Sequence, residues 1–527
     1  MKLFGYNPNH YTVSGAELYG DISVQTGNID FSVTGISWYS GPNENIRPWF
    51  IASSYPSGSR PRFSAPATNT ESDLIELLKR NFGQTFTNGT NAINWLNANG
   101  YYSTLTITWT GAVSIDWNTT GNWDANVVPR NTDNVIIPNV ANKPIVNQSF
   151  ATPATCNNLT IQTGSVLTIA TGKAMTVSGT ITNNAGVTGL IIKSDATGDA
   201  SFIGPATTAS VERYVIANSW IYLSSTVSAA KSGVYSSAYL QFYIESTNSF
   251  GPLITDTNVA LIPGIGHSVF SPSARTFSYT GTTNSGATLL LLKTNEGNNL
   301  VGNPFTSAID WNSPSWNKTN ISPTIWIWNN TAGQYATYNS NTHIGTNGGS
   351  NYLSMGQGFI VVALETGITF NISSSVRLHN TTQLIKTDMI DFNFLKIRAS
   401  GNGYSDEMII IKIADALSDI DYQYDAKKMM GLEFAPQLYT IKSQINMSTA
   451  SFNIIDVDTE IPVCIKVGVD GEYDINFFNN LNLSGLNILL RDNKLMNIIN
   501  LTAQSVVTFT ASTLDDSNRF TLLFNSQ

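Results

Sequence analysis

From residue 105 onward the chain alternates apolar and polar positions in short runs, and each run ends at Gly, Asn, Thr or Pro. Period-two alternation marks strands with one buried face, and closely spaced turn residues favour many short strands over helices. SerValLeuThrIle at 165–169 and AlaMetThrValSer at 174–178 are examples. Helical periodicity is confined to the N-terminal part. There Thr70 and Asp73 cap an apolar stripe of Leu74, Leu77 and Leu78, basic Lys79 and Arg80 follow, and Gly83 stops the run, so the spacing predicts a helix over 70–83. A second short helix is expected over 92–98, with Trp95 and Leu96 inward and Gly100 as terminator.

These patterns divide the chain into five parts. Residues 1–104 read as a small α+β module, with strand-like runs in its first half. In 105–187, strands of about five residues recur at roughly ten-residue spacing, as in a short β-solenoid whose coils bury aliphatic rows against one another. Residues 188–300 carry weaker alternation expected to form a β-sandwich, 301–387 form an aromatic-rich β module, and 388–527 form a strand-dense C-terminal sandwich. The fold class expected is therefore mainly β: an elongated multi-domain chain of β-solenoid-like and β-sandwich modules behind a small α+β N-terminal module. No low-complexity linker separates the parts, which predicts modules packed end to end as a stiff rod.

Composition sharpens this. With 27 Lys+Arg against 36 Asp+Glu the net charge is −9, and only 12% of the residues are charged. A chain so poor in basic residues lacks the concentrated positive face that displaces counterions from nucleic acid, so no nucleic-acid partner is expected. Its 42% hydrophobic and 11% aromatic content argues for packed cores rather than disorder. The N-terminus turns polar by Asn7 and reads as no secretory signal, and apolar runs such as 289–292 and 408–411 are far short of a membrane-spanning helix, so no membrane insertion is expected. The two cysteines, Cys156 and Cys464, sit in apolar strand patterns in separate modules and are expected as buried thiols.

Candidate chemistry is sparse. His10, His267, His343 and His379 are scattered, with no paired metal-ligand spacing, and neither a GxSxG elbow nor a phosphate-binding loop occurs. Asp116, Asp310, Asp406 and Glu407 are acids that a glycosidase pair would require, but each sits in a phrase that suits a turn cap. No catalytic residue and no cofactor is expected. Two acidic clusters, Asp415/Asp419/Asp421/Asp425 and Asp456/Asp458/Glu460, leave two readings open: solvated turns, or calcium bound by loop oxygens with Asp419, Asp421 and Asp425 as ligands. Trp109, Trp117, Trp123, Trp311, Trp316, Trp326 and Trp328, with Tyr335 and Tyr338, supply aromatic faces that match the apolar face of a pyranose. IleTrpIleTrp places Trp326 and Trp328 on one face of a strand, so Trp326, Trp328 and Tyr335 are the ligand-stacking candidates; that face is also a candidate sandwich core.

Several phrases occur together in a known order. TrpThrGlyAla, AspTrpAsn, AsnTrp and AsnValIleIlePro between 109 and 138, CysAsnAsnLeuThrIle at 156–161 and LeuValGlyAsnProPhe at 300–305 are followed by IleTrpIleTrpAsn at 325–329 and MetGlyGlnGlyPhe at 355–359. The tail adds AspTyrGlnTyrAspAlaLysLys at 421–428 and ArgPheThrLeuLeuPhe at 519–524. Across 105–527 the chain resembles large bacterial cell-surface proteins exported by type IX secretion, which implies adhesive and scaffold modules. Residues 1–104, through GlyAsnIleAspPheSerValThrGlyIleSerTrpTyrSerGlyProAsnGlu at 27–44 and TrpLeuAsnAlaAsnGlyTyrTyr at 95–102, resemble the N-terminal module of tailed-bacteriophage appendage proteins. Together these resemblances imply a virion-surface appendage, a head or tail fibre. Its first 104 residues would bind capsid or tail proteins, and its distal β-modules would contact a host-surface glycan or protein. By analogy with fibres it is expected to be a homotrimer. A bacterial surface adhesin and a polysaccharide-degrading tailspike are the alternatives.

Overall fold

The computed structural model describes residues 105–380 and 393–526 apart from 482 and 484, a few positions between 85 and 91, and the backbone of five short strands before residue 52. The chain divides into two compact units, 1–106 and 107–527. In the first, Lys2–Phe4 pairs antiparallel with Trp49–Ile51, and Tyr11–Val13 lies between Ala16–Leu18 and Ile36–Trp38. The helices expected over 70–83 and 92–98 lie outside the described residues. The second unit is mainly β, as the alternation requires; the only helical elements among its described residues are five single 3₁₀ turns.

The unit opens with a three-sided solenoid. Asn134–Ile137, Leu159–Ile161 and Ile181–Asn183 stack in parallel as one row. Ile145–Val146, Leu167–Ile169 and Leu190–Ile192 form the second row, and Ala154–Cys156, Ala174–Val177 and Ser201–Ile203 the third. Alternate positions point inward, so Val135, Ile137, Leu159, Ile161, Leu167, Ile169, Leu190 and Ile192 form a dry interior, each contributing roughly 1.5–3 kcal/mol by leaving water. The third coil, 181–203, runs past the module boundary expected at 187.

A solenoid end exposes its last apolar row unless something closes it. The 106–123 segment lies over the first coil and does so with three indoles. Trp123 meets Trp109 and Trp117 edge-on at 4.9 and 4.7 Å. Asn122 braces the loop, its Oδ1 accepting from the Val113 and Ser114 amides at 2.9 and 2.7 Å. Cys156, at the base of the third row, is a buried free thiol like Cys464, and burial pushes both up to about 12.

Thr208–Val215 continues the second row and pairs along its whole length with Arg275–Thr282. Between these two strands, Ser219–Leu223, Tyr239–Ile244, Ser249–Phe250 and His267–Ser271 make a small antiparallel sheet. Gly286–Leu291 then pairs with Ile368–Ser373, so by strand pairing the aromatic-rich sandwich starts ahead of the boundary expected at 300. Its central sheet orders Asn298–Gly302, Gly358–Ala363, Ile321–Asn329, Gln334–Asn339 and Ile344–Thr346. Ile325 and Ile327 face a core containing Trp311, Phe359 and Phe370, while Trp326 faces a second core with Tyr222, Leu300 and Ile360.

The C-terminal module is one eleven-stranded sheet curled around a large core that includes Ile410, Leu438, Tyr473 and Phe520, while Phe394, Ile409 and Ile411 pack with Ile344 in a smaller cluster. It is locked to the sandwich by buried polar bonds. The Trp326 indole donates to Lys427 O at 3.0 Å, Gln334 Nε2 donates to Pro436 O at 2.7 Å, and Asn347 Nδ2 donates to Asp406 Oδ1 at 2.9 Å. Gly345 and Gly349 belong to a turn pressed against Thr337 O, where a Cβ would come within 2.3 and 1.9 Å.

Candidate ligand cleft

Ile321–Asn329 carries Trp326 and Trp328 on the same face, but their surroundings differ. Trp326 is 2% exposed and sealed beneath Tyr222, Val362 and Ala426, so it is a core residue and offers no stacking face. Trp328 lies beyond that cover and is half-buried. Its indole donates to Asn330 Oδ1 at 2.9 Å and stands edge-on to Tyr335 at 5.2 Å. Tyr335 in turn shares a 2.7 Å hydroxyl contact with Tyr222. Burial raises the pKa of both phenols, so this aromatic edge carries no charge. The other candidate indoles are internal: Trp109, Trp117 and Trp123 close the solenoid, and Trp311 and Trp316 lie in the sandwich core.

Trp328 forms one wall of a hollow of about 270 Å³. The facing wall comes from the solenoid. Successive coils step by 168 − 145 = 23 residues from Ile145 to Thr168 and by 191 − 168 = 23 from Thr168 to Ile191. In the third row the step is 175 − 154 = 21 between the first two coils but 202 − 175 = 27 between the last two. The extra residues form a tight hairpin, Ser194–Asp195 paired with Gly198–Asp199, whose tip projects at the cleft. Insertions into a repeat concentrate on one face, often the binding face.

The hairpin is firmly braced. Asp195 Oδ1 accepts from the Thr197 amide and hydroxyl at 2.8 and 2.6 Å, and Asp195 Oδ2 accepts from the Thr171 hydroxyl at 3.0 Å. The bonds from Thr197 hold the Asp195 carboxyl below its usual pKa. Asp199 accepts from Ser194 Oγ at 2.6 Å and forms an ion pair with Arg213. Arg213 Nε is buried without a hydrogen-bond partner, and Arg213 also lines the hollow. The cleft thus offers an indole face, amide and hydroxyl groups at Asn330, Gln357 and Thr331, and one guanidinium, that of Arg213, paired with Asp199. Such a set suits a neutral polyhydroxylated ligand. Sequence reasoning reached Trp328 and Tyr335 but passed over Asp195, Asp199 and Arg213; the signal was the broken repeat at SerAspAlaThrGlyAsp, 194–199.

The acidic clusters are engaged elsewhere. Asp421 accepts from the Leu417 and Gln423 amides at 3.1 and 3.0 Å. Asp425 takes the Lys442 ammonium at 2.9 Å, with Ser451 N and Oγ both at 2.6 Å. Lys442 therefore already supplies a cation at Asp425. Asp419 accepts from the Ile420 amide on the surface, Asp456 caps its own turn through Thr459, and Glu460 is clamped by Arg491. No group of three acidic, His or Cys side chains placed to hold a metal occurs among the described residues. Asp116 and Asp310 cap turns, accepting from the Asn118 and Asn312 amides.

Residues 108–524 match the family described as "Domain of unknown function (DUF8693)". The chain belongs to that family. No curated protein and no solved structure matches it. The match runs from the capping Trp109 to the closing strand Phe520–Ser526, so the solenoid, the hairpin and Trp328 all lie inside the family domain.

Proposed function

We propose that the chain is a non-catalytic attachment protein of a tailed-bacteriophage particle, a head or tail fibre. Residues 1–104 would hold it to capsid or tail proteins, and the family domain would bind a host-surface glycan. The observation that carries the glycan half is the open hollow in which the Trp328 indole faces the hairpin at 194–199. A stacking face beside hydroxyl and amide groups is the chemistry that holds a sugar without reacting with it. Glycosidases need one carboxyl with a raised pKa to act as acid; Asp195 is shifted the opposite way, and Asp199 is held by Arg213. Weak single contacts gain avidity from many copies on one particle, and a homotrimer supplies that multiplicity.

The virion half rests on the phrases at 27–44 and 95–102, whose side chains lie outside the described residues. A bacterial surface adhesin would use the same cleft, and the type IX resemblance over 105–527 favours that second reading. Two experiments separate the readings. Incubation with purified host polysaccharide is expected to retain the protein without shortening the polymer, and release of oligosaccharides would overturn the non-catalytic reading. Deletion of residues 1–104 is expected to leave particles bare of the protein, and particles that still carry it would overturn the virion assignment.

A further inference from the structure

The Trp328 hollow has a neighbour. A second hollow of about 310 Å³ lies on the other side of the 194–199 hairpin, lined by Phe150, Thr197, Ser201, Ala308, Met355 and Asn380. The two share Gly198, Asp199 and Ser354. We propose that they are two halves of one groove, which binds a linear neutral glycan lying across Gly198 with one sugar stacked on Trp328 and another on Phe150. The inference rests on the glycan reading of the Trp328 hollow and adds the ligand's shape: an unbranched chain, held along its length.

Four observations carry it. Each hollow alone is at the small end of ligand sites, about 300–1,000 Å³, and only the pair offers room for several sugar units. Each has its own aromatic wall; Phe150 is half-buried and held edge-on to His379 at 6.4 Å. The residue shared between them at the hairpin turn is a glycine, with no side chain to stand between the hollows. A Cβ on Gly198 would meet nothing within 4 Å, and its φ of +144° is a conformation that side chains rarely adopt. A bulky residue there would part the hollows.

The fourth observation is charge. Asp199 is matched by Arg213, leaving Asp195 as the groove's other acid, a poor setting for an anionic polymer and a permissive one for hydroxyls. His379, behind Phe150, is occupied by the Thr176 and Ser201 hydroxyls at 2.8 and 2.7 Å. Those bonds hold the 377–380 segment, and with it one wall of the second hollow, against the solenoid.

The test is binding of the full chain to unbranched neutral hexose oligosaccharides of two to eight units, by calorimetry. Affinity is expected to rise about tenfold, near 1.4 kcal/mol, between three and six units, then level off. Phe150→Ala is expected to flatten that rise while short chains still bind. Thr197→Trp, which fills the second hollow from an exposed position and gives up the hydroxyl bond to Asp195 while the backbone amide keeps its own, is expected to do the same. Trp328→Ala is expected to abolish binding at every length. Affinity independent of length, or a rise that survives both Phe150→Ala and Thr197→Trp, would overturn the continuous groove while leaving the Trp328 site standing. No binding at any length would overturn the glycan reading itself.

Discussion

Asp199, the last residue of the hairpin that lengthens the third solenoid coil, is ion-paired with Arg213 on the strand that leaves the solenoid. The pair fixes an insertion against the body of the domain, and Arg213 Nε is buried without an acceptor. Both side chains are largely buried, so removing one partner strands the other in a poorly solvated place. Asp199→Ala is expected to cost roughly 1–3 kcal/mol. It should also speed amide exchange within 194–199 while leaving exchange in the first two coils unchanged, which hydrogen-exchange mass spectrometry reads directly.

The two tryptophans of one strand face should separate by experiment. Trp326→Ala removes a sealed side chain that also donates to Lys427 O, and is expected to cost roughly 3–5 kcal/mol in chemical unfolding. Trp328→Ala, at a half-buried edge, is expected to cost under about 1.5 kcal/mol and to lose retention on host polysaccharide. Equal destabilisation by both would contradict the difference in burial.

Acid should loosen the domain through its histidines. Burial drives His267 down to about 3, and burial followed by the nearby Arg377 charge drives His379 down to about 4. In both cases the unfolded chain, near 6.5, takes the proton more readily than the folded one. Stability is therefore complete above about pH 6.5 and is lost as pH falls toward 4. Tm measured from pH 7 to 4 is expected to fall across that window, with an upper limit of about 5 kcal/mol for His267 that is reached only near its folded pKa. His267→Gln, which keeps a partner for the Tyr235 hydroxyl, should flatten the slope.

Within the C-terminal module Lys428 and Asp406 form a nearly inaccessible ion pair at 2.5 Å, and the sandwich reaches it through Gln334 Oε1, which accepts from Lys428 Nζ at 3.1 Å. Asp406 also accepts from the Leu438 and Glu407 amides and from Asn347. Lys428→Ala is expected to destabilise by roughly 3–5 kcal/mol, because it leaves a buried carboxylate uncompensated. Thermal scans of the full chain should then show the C-terminal module unfolding ahead of the rest.

Chelation tests the calcium reading. With Lys442 seated on Asp425, dialysis against EDTA is expected to leave Tm unchanged, and added calcium is expected to leave it unchanged too. A calcium-dependent rise of several degrees would restore Asp419, Asp421 and Asp425 as ligands.

Much of the fold was legible before any coordinates. A solenoid is built from contacts one coil apart, so Leu159, Leu167 and Cys156 announce their rows through a repeat that local spacing carries. IleTrpIleTrp announced two faces by its period of two. Which Trp was sealed, and which faced a cleft, was decided elsewhere. Trp326 is covered by Tyr222 and Ala426, and Trp328 is left facing a hairpin more than a hundred residues earlier in the chain. Nothing in the neighbourhood of residue 328 encodes that meeting. Alternation and turn chemistry are local and set the strands, whereas the Trp328 hollow exists only where the lengthened third coil and the sandwich edge pack together, and that depends on contacts no periodicity records.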